Sequence, residues 1–393
     1  MYSEQDLRDA VAGGAMTEDA ASALRSHVAQ MRKMPITDEE NFRLVSSFND
    51  IFVAIGVVIM LVAMGAVGQA IAGEVARGVY PDLIDAMNWR MDYSQEQWET
   101  YYAFSTLRSA LTALFGGVLV AASAWGLAEF FTRRRRMALP SILLLLAFIG
   151  GVAATAFGVG WSIFPDMTDE VVALVLGAAG LAAAAGAWFH WKRFMVPITV
   201  AAGAASVAVT VIALLAAAIA TVFEPQNTDM ETIILTLVFA AGLGVFAFAM
   251  RWDTSDRERK TRRSDVAFWL HLVAAPMIAH PVFALIGVMD NDQLGVGAAL
   301  AVLGVYIAFG LVALAIDRRA LLVSALAYVL IALTFLFDRF GAVELTFALT
   351  ALVIGSALLT LSAFWAPIRT ALVDRLPGSL QERLPITGYL AAA

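Results

Sequence analysis

An all-α protein that crosses a membrane about ten times is the fold class this sequence predicts, and three observations predict it. Hydrophobic residues fill 60% of the 393 positions and charged ones only 15%, where soluble domains carry about a quarter charged. Apolar runs of the roughly 17 to 25 residues that span a bilayer recur along most of the chain. Lysine and arginine gather in alternate connections between those runs, the pattern of a polytopic protein whose basic loops stay in the cytoplasm.

The runs place spans at about 50–72, 109–131, 138–163, 171–190, 195–222, 232–250, 266–289, 294–316, 320–337 and 345–366, with ends uncertain by about 2–4 residues. With the N-terminus inside, 22 of the 26 basic residues fall on the cytoplasmic side, leaving Arg77, Arg90, Arg108 and Arg339 outside. The outer connections collect acids instead, in PDMTDE, EPQNTDME and DND. Both termini are therefore expected in the cytoplasm. Residues 1–48 are polar, and the first apolar run is longer than the roughly 7–15 residues of a signal core, so it reads as a span that stays.

Three parts follow. Residues 1–48 form a cytoplasmic helical hairpin and linker. Thr17, and Ser3 with Asp6, offer short oxygens to the amides of first turns, and Gly13-Gly14 separates two helices whose Leu7, Val11, Leu24, Val28 and Met31 repeat at helical spacing. Pro35 ends the second helix, and Thr37 with Glu40 caps a third that runs into the membrane. Residues 49–366 hold the ten-helix bundle, with a long periplasmic loop at 73–108 in which Ser94 and Gln97 have capping-box spacing. Residues 367–393 make a cytoplasmic tail of short amphipathic helices broken at Pro377 and Pro385. Stretches such as LGAAGLAAAAGAW supply the small residues that let helices approach in lipid.

Composition also bounds function. A soluble enzyme is excluded by the hydropathy, a mean of +0.77. The net charge of −7, with no basic domain standing apart, speaks against nucleic acid as a partner. Without cysteine there is no disulfide, thiolate nucleophile or cysteine-ligated metal. No phosphate loop, zinc spacing or Ser-His-Asp order is present, and Asp290-Asn291-Asp292 is too short for a calcium site. No metal or cofactor is expected.

One stretch stands out. FWLHLVAAPMIAHPVFALIG carries His271, Pro276, His280 and Pro281 within a span. Each proline removes an amide donor and crowds the preceding turn, so a kink or local unwinding is expected, the feature by which transporters expose backbone to substrate. Histidine is costly against lipid and faces protein or water. Nine residues of unbroken helix set His271 and His280 on opposite faces, ~13 Å apart along the axis, so they do not make one site. The stretch is either a pathway or a packing device. A bis-histidine haem would need facing imidazoles, with only His190 as a further membrane-proximal candidate. Glu129 stands four residues before Arg133, the favourable order for a helical ion pair. The inner basic loops, RRRR at 133–136 and the run at 251–264, are topogenic and attract anionic lipid. Trp161, Trp188, Trp191, Trp252 and Trp365 lie at span ends as interfacial anchors.

LRDAVAGGAMTEDAASAL, FRLVSSFNDIFVAIG, HLVAAPMIAHPVF and DRRALLVSALAYV together resemble uncharacterised bacterial polytopic membrane proteins that join a short N-terminal helical domain of unknown function to a helix bundle. The resemblance implies no activity, and it implies a bacterial cytoplasmic (inner) membrane as location. Ten spans divide into five plus five, and an odd number per half inverts one half relative to the other, a transporter plan. Transport of a small molecule or ion is thus the leading functional expectation. A regulatory or scaffold protein is the alternative, with residues 1–33 binding a protein partner or a second copy. An enzyme acting on lipid ranks third, because the loops hold no recognisable catalytic constellation.

The charge pattern generates a direct test of orientation. A cysteine introduced at Ser255 should resist an impermeant thiol reagent in intact cells, and one at Ser94 should react. The reverse labelling would invert the assignment.

Overall fold

The structure is a computed structural model. It describes residues 4–32, 48–81, 94–222, 229–259, 261–287, 295–339 and 345–386. The expected break at Pro35, the cap at Thr37 and Glu40, the candidate cap Ser3 and the acidic run at 290–292 lie outside these residues.

The protein is all-α. Among the described residues, ten helices are long and apolar enough to cross a membrane. Two short helices precede them, α1 (Glu4–Ala12) and α2 (Glu18–Arg32). The spans are α3 (Phe48–Val79), α4 (Gln95–Ala128), α5 (Ala138–Ile163), α6 (Asp169–Phe194) and α7 (Ile198–Val222), followed by α8 (Met230–Thr254), α9 (Arg262–Leu285), α10 (Val296–Ile316), α11 (Ala320–Arg339) and α12 (Thr346–Ala363). The tail adds α13 (Trp365–Val373) and α14 (Gly378–Gln381), separated near Pro377. Helix is the form a single segment must take in hydrocarbon, because it satisfies every backbone amide within the segment.

Capping follows the sequence closely. Gly14 turns left-handed at φ 71°, its amide bonds to the Val11 carbonyl, and the Ala15 amide reaches back to Ala10, which closes α1 with a Schellman motif. Thr17 Oγ1 accepts from the Ala20 amide at 3.2 Å and opens α2. Within this pair Ala21 is fully buried and Leu24 is exposed. The inward position is therefore one turn earlier than the Leu24 stripe predicts. Three residues advance a helix by about 300°, which leaves Leu24 at the edge of the face that Ala21 leads; the side chain of Val28 lies outside the description.

Ser94 forms the capping box with Gln97, each side chain bonded to the other's amide. It opens α4, which runs 34 residues into a wide π-type turn at Glu129–Arg134. Helix α3 likewise extends over 32 residues. Much of segment 73–108 is thus helix continued past the roughly 20 residues a bilayer requires, an economy in which the existing ladder keeps satisfying amides beyond the hydrocarbon.

The chain divides into two compact units, one of residues 43–248 and 269–298, the other of residues 1–42, 249–268 and 299–393. In the first, helices α3 to α7 pack as sequential neighbours. Their seams are built on glycine. A Cβ on Gly117 of α4 would lie 2.6 Å from the Gly151 carbonyl of α5, and one on Gly151 2.7 Å from the Gly117 carbonyl. A Cβ on Gly68 of α3 would fall on the backbone of Gly116. Lipid offers no hydrophobic force to drive helices together, so this close backbone approach supplies the dispersion contact that holds them. Leu144, Ala124, Ala128, Val57 and Leu61 form a buried cluster in the same unit.

Gly117→Leu should therefore lose more than the roughly 1–3 kcal/mol of ordinary overpacking, because backbone rather than a movable side chain blocks it. Gly126→Leu on the same helix, where a Cβ meets nothing within 4 Å, should be silent. Thermal unfolding in detergent compares the two, and equal melting temperatures would refute the seam.

Candidate functional site: an ion network at the span ends

The second unit gathers charge where α8, α9, α10 and α11 end or begin. Helix α10 stops at Ile316 because Asp317 turns left-handed at φ 57°. The Asp317 amide bonds to the Leu314 carbonyl and the Arg318 amide to Ala313, a Schellman closure with aspartate where glycine is usual. Aspartate tolerates that conformation better than most residues. Its carboxylate then collects two hydrogen-bond donors and a further cation. Oδ2 accepts from Arg259 Nη1 at 2.8 Å, Oδ1 accepts from the Trp365 indole at 2.7 Å, and Arg369 Nε stands 3.6 Å from Oδ1. Arg259, itself left-handed at φ 52°, also donates to the carbonyls of Ile316 and Asp317. Burial, aided by the Arg318 guanidinium, lowers the Arg259 pKa, while Asp317 and Asp253 oppose the shift. Arginine stays protonated throughout.

Beside Asp317 lies a pair withdrawn from solvent altogether. Arg318 and Asp253 are each 1% exposed, and Nη2 donates to Oδ1 at 2.7 Å. The same nitrogen donates to the Ser264 carbonyl at 3.1 Å, and the guanidinium sits 5.9 Å from the Phe268 ring centre. Asp256 shapes the connection between α8 and α9 by accepting from the amide and hydroxyl of Thr261.

The tail is bound into this network. Arg257 donates to the carbonyls of Leu384 and Gln381 at 2.8 and 3.0 Å. Arg369 donates to the Pro385 carbonyl at 2.7 Å. Trp365 is buried against Ala313, Leu314 and Leu322, and Arg319 lies 4.8 Å over its ring. Trp365 is thus a core residue rather than the interfacial anchor its place at a span end predicts, because Asp317 gives its indole N–H a buried acceptor. The aspartates that organise the network, Asp253 and Asp317, were hidden in sequence by the arginines around them. The available signal was an acid at a helix end inside a basic loop, as in IDRR and RWDTSD.

The histidine span comes out differently. Helix α9 is continuous from Arg262 to Leu285 with both prolines inside it, so the chain does not unwind there. His271 is buried at 3% exposure, its ring 5.2 Å from Phe246 and edge-on to it. Pro281 is buried, and His280 and Pro276 are exposed. The two histidines thus occupy different faces, as the spacing of an unbroken helix requires.

A further histidine is more enclosed. His190, 1% exposed, sits among Trp125, Phe148 and Phe194 at ring distances of 6.1, 5.8 and 4.6 Å. Its Nδ1 meets Thr199 Oγ1 at 3.2 Å. Nearby in the same unit, Glu129 pairs with Arg133 as its spacing predicts, at 3.4 Å, yet its closer partner is Arg193, bidentate at 2.7 and 3.0 Å. No group of three or more His, Asp or Glu that could hold a metal occurs among the described residues.

No family model, curated protein or solved structure matches the chain. The ion network therefore stands on its geometry. It presents no nucleophile beside a base. What it does present is a set of charges neutralised by one another across separate helix ends, an arrangement that can close or release those ends.

Asp253→Asn should destabilise the protein by about 3–5 kcal/mol, since it strands the Arg318 charge in a buried site. Asp253→Leu combined with Arg318→Met should recover most of that loss, because the desolvation cost goes with the pair. Tryptophan fluorescence during thermal unfolding in detergent measures both. A double variant no better than the single one would show that the pair itself contributes the stability.

Proposed function

We propose that the protein moves a small molecule or ion across the membrane, with the Asp253–Arg318 pair and the Asp317 hub as the closure of one end of the path. The observation that carries this reading is the complete burial of an ion pair at the ends of spans. Such a pair adds little net stability over apolar residues of the same size, and ionisable groups among spans mark pathways more often than packing. Pairs of this kind can be broken and remade as helix ends part. The bound tail, held by Arg257 and Arg369, would then be part of the closure. His271, buried within its span, is a second ionisable group inside a bundle.

The membrane assigned to this activity is the bacterial inner membrane, with both termini cytoplasmic, in keeping with the distribution of basic residues.

Reconstitution tests the proposal. Proteoliposomes on a solid-supported membrane should give a current above protein-free vesicles for at least one class among alkali cations, protons, halides, carboxylates and amino acids. Asp253→Asn should abolish that current, or leave it ungated, in preparations matched for folded protein. If no class gives current or tracer uptake, and Asp253→Asn changes stability alone, the transport reading fails. The regulatory reading, with residues 1–33 as the partner-binding module, would then replace it.

A further inference from the structure

In the unit of residues 43–248 and 269–298, two arginines meet at the end of α3 and α4 remote from the tetra-arginine run. Gly73 is buried, and the point where its Cβ would stand is 3.8 Å from Arg77 Nη2 and 3.9 Å from Arg108 Nε. Arg77 is folded back over its own helix, Nε donating to the Gly73 carbonyl at 3.2 Å. Around them open two adjoining clefts. One, of about 340 Å³, is lined by Gly73, Arg77, Phe104 and Arg108. The other, of about 330 Å³, is lined by Gln69, Ser105, Arg108, Ser109 and Thr112. Arg108 belongs to both.

The charges are unevenly matched. Arg77 bonds to Glu74, whereas no carboxylate among the described residues pairs with Arg108. Two guanidiniums converging on one point repel each other unless an anion lies between them. The remaining lining groups are the Phe104 ring, the Gln69 amide and three hydroxyls, of which Ser105 and Ser109 can donate while that of Thr112 already donates to the Arg108 carbonyl.

Depth narrows the anion. About 20 helical residues cross the hydrocarbon. Counted from Ile51 up α3 they end near Ala70, and counted back from Phe131 along α4 they end near Thr112. Arg108 lies about one turn beyond that limit, and Arg77, starting two turns beyond, folds back toward it. The two guanidiniums therefore sit at the level of headgroup phosphates.

We infer that the Gly73 cleft binds a phosphate group, through a bidentate contact from Arg108 and a second contact from Arg77, with Ser105, Ser109, Thr112 and Gln69 flanking whatever the phosphate carries. The guanidinium fork matches phosphate geometry. The site stands independently of transport. Phosphate chemistry reaches this depth from a lipid headgroup or from a soluble phosphate.

Full-length protein in neutral detergent, titrated with short-chain phosphatidylglycerol or with sodium phosphate at constant ionic strength, tests it. The melting temperature should rise saturably with at least one of them. Response to the lipid alone assigns a headgroup, and an equal response to inorganic phosphate assigns a soluble anion. Arg108→Gln should weaken the response about tenfold and Arg108→Lys less. Gly73→Ala, whose methyl makes only ordinary contacts, should fold and still weaken binding by occupying the shared point. A response that is absent, that never saturates, or that survives in both Arg108→Gln and Gly73→Ala overturns the assignment. So does a response that appears only after Asp82, Asp85 and Asp92 of the connecting segment are changed to Asn, because the counterion would then be the chain itself.

Discussion

In the interior of a bilayer an unpaired amide has no water to fall back on, and apolar side chains gain nothing by leaving lipid for one another. Those two facts shape this protein from one end to the other. The first makes each span a helix. The second removes the usual reason for helices to associate, so association has to come from close contact. That is why Gly117 and Gly151 face each other with no room for a Cβ on either, and why alanine dominates the buried positions. Several polar side chains inside the spans bond to their own helix: Thr155, Ser162 and Ser206 each donate to the carbonyl four residues back.

Charge, excluded from the spans, accumulates at their ends. There its fate depends on whether the chain also supplies the opposite sign. At the α8–α9 and α10–α11 connections it does. Asp317 adopts a left-handed backbone that costs most residues of order 1–3 kcal/mol, and Arg259 does the same. Both conformations are held by what the side chains reach: the carboxylate of Asp317 takes the Arg259 fork, the Trp365 indole and the edge of Arg369. Local strain and tertiary pairing are coupled here. The turn is tight because the carboxylate has partners, and the partners are in reach because the turn is tight.

The architecture was legible in the sequence because hydropathy and charge are one-dimensional signals. The ten spans, the Ser94 capping box, the Gly14 stop and the Glu129–Arg133 pair all depend on residues within a few positions of each other. The site was not, because its pairs are distant in sequence. Arg318 meets Asp253 across 65 positions and Arg257 meets Leu384 across 127. Counting arginines as topogenic treats them as markers of one side of the membrane and conceals their partners. The prolines of α9 do not unwind the chain. A missing amide donor predicts weakness, yet the helix stays continuous through Pro276 and Pro281. In a span, neighbouring helices and local adjustments can re-satisfy the freed carbonyls, so proline alone does not break it. Nothing local in the sequence announces that Trp125 and Phe148 enclose His190.

Arg318 and Arg108 show how far environment decides what one side chain does. Arg318 is fully enclosed, its charge met by Asp253, and the same Nη2 also donates to the Ser264 carbonyl. Moving it means paying to separate a buried pair, so it can act only as part of a closure. Arg108 is exposed, shares two clefts and has no described carboxylate against it. The nearby Arg77 already bonds to Glu74, so the charge left for an anion there is that of Arg108. A pre-neutralised arginine holds structure, and an arginine left positive beside a second one recruits an anion from outside the chain. Composition records both as the same basic residue at a span end. Only the position of the nearest carboxylate separates a latch from a binding site.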